Sequence, residues 1–91
     1  MNIMLKQIQL IERIDQLIRL QATGSPIELA AKLGISKTKL YRTLCIMKEL
    51  DAPVEFDTLT QSFVYSEPVG FTFGFYKKGQ KTNSINPSMG N

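Results

Sequence analysis

Six residues that can bind an anion lie close together in the middle of the chain. They are Ser36, Lys37, Thr38, Lys39, Tyr41 and Arg42. Hydroxyl, ammonium and guanidinium groups donate hydrogen bonds to phosphate oxygens and to acceptor atoms on base edges. These residue types therefore predict a site for a large anion, of which DNA phosphate is the commonest example. The alternative is a basic helix face that contacts water alone.

A helix over residues 36–50 would position these side chains. Leu40, Leu44 and Met47 recur at spacings of four and three and form one apolar stripe, and the polar residues fall outside it. Ser36 is a favoured N-cap residue. Because the first turn holds lysines and no acidic residue, the positive end of the helix dipole is available to an external anion.

The helix that precedes this segment has a strong start signal. Ser25 is a natural N-cap, Pro26 fits the first helical position, and Glu28 completes a capping box. This second helix is expected to run to about Leu33 and to end at Gly34. The two helices are then joined by a tight turn, as in a helix-turn-helix.

The first helix is expected from about Ile3 to Leu20, ended by Thr23 and Gly24, where glycine tolerates a left-handed C-cap. Its broad apolar face consists of Met4, Ile8, Leu10, Ile11, Ile14, Leu17 and Ile18. Two interpretations of this width stay open. Either the helix is central and buried on two sides, or part of the face contacts another chain.

After residue 53 the hydrophobic period changes to two. Residues 54–57 and 62–65 alternate apolar and polar side chains and predict a hairpin joined by residues 58–61. Residues 71–76 alternate aromatic residues with others and predict a further strand, laid on the core or exposed as an edge that pairs with a second subunit. Residues 77–91 have little to bury and are expected to form a disordered basic tail, so the domain is placed at residues 1–76.

The composition narrows the classes of function. The 91 residues suffice for one domain and contain one cysteine and no histidine. Histidine-based proton transfer is therefore impossible, and we expect no enzyme, no metal site and no cofactor. The sequence shows no apolar run of membrane-span length and no signal peptide, so we expect a cytoplasmic protein without membrane contact.

The net charge of +3 is unevenly distributed along the chain. Residues 25–48 contain five basic residues and one acidic residue, whereas residues 49–67 contain five acidic residues and no basic one. A polyanion would approach such a polarised surface from the side of the basic helix.

The spacing of several residues resembles a known family. They are Ala30, Leu33, Gly34, Ile35, Ser36, Leu40, Tyr41, Arg42 and Leu44, followed by residues 48–54, which lead into the hairpin. Residues 5–65 resemble the winged helix-turn-helix domain at the amino terminus of bacterial DeoR-type and biotin-repressor-type regulators. Residues 71–75 resemble the closing strand of small stand-alone bacterial helix-turn-helix proteins. The resemblance implies an α+β fold with a three-helix core and a hairpin wing.

The same resemblance implies a transcriptional regulator that binds double-stranded DNA sequence-specifically, with residues 36–50 in the major groove. The residues that match outward positions of the recognition helix are Ser36, Lys37, Thr38, Tyr41 and Arg42. The residues suited to clamp phosphates are Ser25 and Lys39. A lone domain gains specificity by pairing on successive half-sites, so we expect a homodimer.

The chain departs from the family pattern at two places. Asp51 stands where a glycine often follows the recognition helix. Residues 55–61 contain two acids and no base, although a wing that grips DNA normally carries arginine or lysine. The alternative function is therefore a protein-interaction module that uses the acidic hairpin or the aromatic strand 71–76 as its surface.

Overall fold

The structure, a computed structural model, describes residues 2–75 and contains three helices followed by a two-stranded antiparallel hairpin. The helices are α1 (Ile3–Arg19), α2 (Pro26–Leu33) and α3 (Lys37–Glu49). The strands are β1 (Val54–Asp57) and β2 (Ser62–Tyr65). The predicted α+β class is confirmed. The predicted end of the domain at residue 76 and the predicted tail 77–91 lie outside the described residues.

One hydrophobic core joins all five elements. Its buried members are Ile11, Ile14, Ile18, Leu29, Ala30, Leu40, Leu44, Met47, Val54 and Phe63. The apolar stripe predicted for α3 is the stripe that is buried. The buried face of α1 is narrower than the apolar face that the sequence predicts, because Ile8, Leu10 and Leu17 are half-buried and Met4, in the first turn, is 69% exposed.

The turn between α2 and α3 depends on Gly34. This residue has a φ of 69°, in the left-handed region that glycine adopts without a Cβ clash. The N–H of Ile35 donates to the carbonyl of Ala30 at 3.0 Å and the N–H of Gly34 donates to that of Ala31 at 3.1 Å. These bonds satisfy carbonyls at the end of α2 and turn the chain directly into α3.

Two helices end on left-handed residues that are not glycine. Gln21 (φ 56°) follows α1 and Asp51 (φ 72°) follows α3. In each case the next residue, Ala22 or Ala52, donates its N–H back across the last turn, to Leu17 and Met47 respectively. The prediction that Gly24 caps α1 is therefore wrong, because the helix ends earlier. At the end of α3, Asp51 adopts the left-handed conformation that glycine commonly adopts after a helix.

The predicted hairpin is present, and it pairs Val54 with Tyr65 and Phe56 with Phe63. Phe56 and Phe63 also meet edge to face, with ring centroids 5.1 Å apart. Thr23, fully buried before α2, accepts a hydrogen bond through its Oγ1 from the N–H of Phe63 at 2.9 Å. The Thr23 side chain thus satisfies the backbone N–H of Phe63, on the edge of β2 that faces away from β1.

The strand predicted at residues 71–76 is absent from its described part, residues 71–75. A strand needs a neighbouring strand to accept and donate its backbone hydrogen bonds, and Thr23 already occupies part of the free edge of β2. Pro68 and Gly70 also interrupt the approach to that edge. Phe71 packs against the core, while Phe73 and Phe75 are exposed.

Candidate nucleic-acid interface

The first turn of α3 leaves backbone donors available. Ser36 is its N-cap, and the Oγ atom of Ser36 accepts a hydrogen bond from the N–H of Lys39 at 3.0 Å. The carbonyl of Ser36 accepts from the N–H of Leu40. Among the hydrogen bonds of the described residues, none uses the N–H groups of Lys37 and Thr38. Both lie at the helix end where such donors have no intrahelical partner.

The charge at this helix end is entirely positive. The first turn of α3 has no acidic residue, and Lys37 and Lys39 are both exposed. The partial positive charge of the helix dipole adds to the two ammonium groups. Within residues 2–75 the one ion pair joins Arg19 to Asp15, so no carboxylate of that part of the chain neutralises the lysines.

The outward face of α3 presents the rest of the predicted contacts. Thr38 and Arg42 are exposed and lie four residues apart, on one stripe opposite the buried residues of the helix. Tyr41 is 46% exposed at the side of that stripe. Glu49 continues the same stripe near the carboxyl end of α3 and is also exposed. Along this stripe the positive charge is therefore confined to the amino-terminal half.

Thr43 fixes how α3 is turned about its axis. This fully buried residue donates through Oγ1 to the carbonyl of Lys39 at 2.9 Å and accepts from Nε2 of Gln7 on α1 at 3.4 Å. Together with the buried apolar stripe, this contact holds one side of α3 against α1. The opposite side, with Thr38 and Arg42, faces solvent as a consequence.

Ser25, the seventh predicted contact, begins a different helix and is already engaged. Its N–H donates to Oε1 of Glu28 at 2.8 Å, and its Oγ accepts from the N–H of Glu28 at 3.3 Å. The hydrogen bond from the Ser25 backbone lowers the pKa of the Glu28 carboxyl, so a negative charge stands at this helix start. A phosphate would have to displace that carboxylate, and the role of Ser25 stays a prediction.

Exposed acidic residues are concentrated at the carboxyl end of α3 and on the hairpin. Glu49, Asp51 and Glu55 are exposed there, and Oδ1 of Asp57 accepts a hydrogen bond from the N–H of Leu59 within the hairpin turn. A groove of about 200 Å³ separates α3 from the hairpin, with Tyr41 and Lys48 on one wall and Glu55 on the other. A phosphate is attracted at the start of α3 and repelled beyond this groove.

Sequence reasoning missed a polar cluster beneath the hairpin. The carboxylate of Asp15, almost fully buried, accepts hydrogen bonds from Nε of Arg19 at 2.9 Å and from the hydroxyl of Tyr65 at 2.6 Å. Nη2 of Arg19 donates to the carbonyl of Val69 at 2.7 Å, and the guanidinium lies 5.3 Å from the Tyr65 ring centroid. The spacing of Asp15 and Arg19 on one helix face could have indicated an ion pair, but not its third member fifty residues away.

The pKa values of both titratable donors in this cluster, Tyr65 and Arg19, are raised. Burial and the hydrogen bond to Asp15 raise the pKa of the Tyr65 hydroxyl above its usual range, which keeps it protonated as a donor. The hydrogen bond to Asp15 likewise raises the pKa of the Arg19 guanidinium. The cluster therefore connects α1, β2 and the segment after β2.

Comparisons with protein-family models, with curated proteins and with solved structures find no match to this chain. Within residues 2–75, no three His, Cys, Asp or Glu side chains are grouped so that they could hold a metal ion. In the same part of the chain, no helix has both the length and the apolar character needed to cross a membrane.

Proposed function

We propose that this protein binds double-stranded DNA by placing α3 in the major groove, in the manner of winged helix-turn-helix regulators. The observation that carries the proposal is the start of α3. Free backbone donors, two lysines and the positive end of the helix dipole coincide there, without a carboxylate. Six of the seven residues expected to contact DNA lie at this start or within the next two turns.

The dimensions of α3 suit this role. Its 13 residues span about 20 Å, and a helix fits the major groove, which is about 12 Å wide. Arg42 on the outward stripe can donate two hydrogen bonds to the O6 and N7 atoms of guanine. Thr38 can contact a thymine methyl group or a phosphate, and Lys37 and Lys39 can contact phosphates of the DNA backbone.

The acidic hairpin limits the footprint. Glu55 and the carboxylates near the end of α3 would repel the phosphates that a basic wing normally contacts. The hairpin instead contributes to folding, because Val54 and Phe63 complete the core. One copy of the domain would therefore make few phosphate contacts, bind with modest affinity and lose affinity steeply as salt rises.

A regulator of transcription needs more discrimination than one such contact surface provides. Two copies on successive half-sites would double the number of base contacts, which is why we include a homodimer in the proposal. The regulatory role itself rests on the resemblance of residues 5–65 to winged helix-turn-helix regulators.

The test is fluorescence anisotropy with a duplex selected from a random pool and with a random duplex. Arg42→Ala is expected to weaken binding to the selected duplex by roughly 1–3 kcal/mol and to affect the random duplex less. Lys48→Ala is the matched control, because it removes one exposed positive charge from the other end of the same helix. The Lys48→Ala substitution should weaken binding to both duplexes slightly and by the same factor.

Two results would count against the proposal. No binding to random duplex at low salt and tens of micromolar protein would exclude DNA as the ligand, since non-specific dissociation constants are about 10⁻⁴ to 10⁻⁶ M. Equal effects of Arg42→Ala and Lys48→Ala on both duplexes would remove the base-reading role of Arg42.

A second candidate is a protein-interaction module. The observation that favours it is the exposure of Phe73 and Phe75 in a segment without a strand partner, which follows the acidic hairpin in the chain. A Phe73→Ser/Phe75→Ser variant tests, in the same titration, whether these two aromatic residues contribute to DNA binding. Unchanged DNA binding would assign these aromatic residues to another role, whereas absent DNA binding in the wild-type protein would favour the interaction module.

A further inference from the structure

An apolar groove of about 290 Å³ opens beside the end of α3. Ile11 of α1, Met47 near the end of α3 and Phe71 are among the residues that line it. Leu50 also lines the groove and is 59% exposed, so its side chain is on the rim rather than in the core. Exposed apolar surface of this kind is stabilised when another apolar group covers it.

The first turn of α1 is an apolar projection. Ile3 is 82% exposed, Met4 69% and Leu5 49%, although all three are large hydrophobic residues. Met4, Ile8 and Ile11 follow one another at spacings of four and three, so they share a face of α1. The exposed turn therefore continues the same stripe whose inner member, Ile11, lines the groove.

The charges of the projection and of the groove are opposite. Lys6 is exposed one residue after the apolar turn, and the first turn of α1 contains no acidic residue. Asp51 is the one charged residue among those that line the groove, and it is exposed. Asp51 takes part in no ion pair within residues 2–75. Lys6 and the positive end of the α1 dipole complement this carboxylate.

We infer that a second copy of this chain covers the groove. In the inferred dimer, the first turn of α1 from one protomer lies in the groove of its partner, and the partner's turn occupies the first groove in the same way. Antiparallel contact between the two α1 helices around Gln7 and Ile8 would place Met4 of one protomer opposite Ile11 of the other. Such an exchange is self-complementary and closes at two copies.

The size of the contact sets its strength. Each protomer contributes three exposed apolar side chains and one groove, a contact of few residues, whereas stable interfaces use about 20–30 residues a side. The dimer should therefore dissociate in the micromolar range. This inference does not rest on DNA binding, because its surfaces lie on α1 and at the carboxyl end of α3, and its test contains no DNA.

The test is sedimentation equilibrium of the full chain from about 10 µM to about 1 mM. Met4→Asp is expected to raise the dissociation constant of the dimer at least about tenfold, because it places a charge in the groove. An acid in the first turn also favours the helix, so this variant should stay folded. Leu50→Ser tests the other side of the contact, and Leu59→Asp at the hairpin turn, 93% exposed, is the matched control.

Charge variants test the pairing of Lys6 with Asp51. Lys6→Glu is expected to weaken the dimer several-fold, because it faces the partner's carboxylate with a like charge. The same substitution in an Asp51→Asn background should have a much smaller effect. Asparagine tolerates the left-handed conformation at this position, so the background variant keeps the backbone.

Three outcomes would overturn the inference. The wild-type chain could remain monomeric up to about 1 mM, the upper end of the test range. Leu59→Asp could weaken association as much as Met4→Asp, which would indicate non-specific aggregation. Lys6→Glu could have the same effect with and without Asp51, which would separate the two charges. Circular dichroism of each variant verifies that a loss of dimer is not a loss of fold.

Discussion

Helices α2 and α3 both have a serine as N-cap, but their first turns differ in charge. Ser25 and Ser36 each accept a hydrogen bond from the N–H three residues later. In α2 that later residue is Glu28, whose carboxylate bonds back to the N-cap, and in α3 it is Lys39. The helix start of α2 thus contains its own anion, and the start of α3 has only cations.

We interpret this difference as a division between a helix start that stabilises the fold and one that leaves donors for a ligand. A carboxylate at the third position satisfies a backbone donor and the dipole, which stabilises the helix and blocks external anions. A lysine at the same position leaves both to a ligand. The contrast between Glu28 and Lys39 is therefore our strongest argument for locating DNA on α3, and exchanging the two types of start tests it directly.

The largest effect is expected from giving α3 the charge of α2. Lys37→Glu/Lys39→Glu should lower the affinity for duplex DNA by roughly 100-fold or more at low salt, because two phosphate-binding charges are reversed. The same variant completes a capping box with Ser36 and should stabilise the fold by about 0.5–1 kcal/mol. Anisotropy and urea unfolding measure the two quantities. Lys48→Glu is the control, and a comparable loss of affinity in it would end the distinction between the two halves of α3.

A smaller and diagnostic effect is expected from removing each N-cap. Ser25→Ala and Ser36→Ala should each reduce the free energy of unfolding by about 1 kcal/mol. Only Ser36→Ala should also weaken DNA binding, since only that serine begins the helix that we place on DNA. If Ser25→Ala weakens DNA binding beyond its effect on the folded fraction, then Ser25 is a phosphate contact after all.

The smallest effect concerns pH. The pKa of Glu28 is lower in the folded chain than its unfolded value, so its contribution to stability is present above the unfolded value and is lost as pH falls through the folded pKa. Thermal unfolding from neutral pH down to about pH 3 should therefore show a steeper decline for the wild type than for Glu28→Gln. Parallel curves for the two proteins would mean that the negative charge of Glu28 does not contribute to the stability that the capping box gives to α2.

Much of this fold could be predicted because its signals are local. Ser25, Pro26 and Glu28 fix the start of α2, Gly34 fixes its end, and Ser36 fixes the start of α3. Each of these acts within four residues of itself, through backbone hydrogen bonds that the sequence specifies. The alternation of residues 54–57 and 62–65 is local in the same sense, and it predicted the two strands of the hairpin.

Other features depended on contacts between distant segments. The sequence predicted a strand at residues 71–76, but Thr23 bonds the edge of β2, and residues 71–75 form no strand. It also predicted that Met4 belongs to the apolar face of α1, but the first turn is left exposed. No periodicity within either segment contains this information, because the outcome depends on what lies next to it.

The sequence by itself determined the order of the helices, the start and end of α2, the hairpin and the basic start of α3, since these follow from hydrogen bonds and side-chain periodicity within a few residues. The tertiary structure alone decided which surfaces remain uncovered. It buried Asp15 beneath Arg19 and Tyr65, turned Thr38 and Arg42 to solvent, and left an apolar groove beside Leu50. Those results depend on packing between residues up to fifty positions apart, and no local rule specifies that packing.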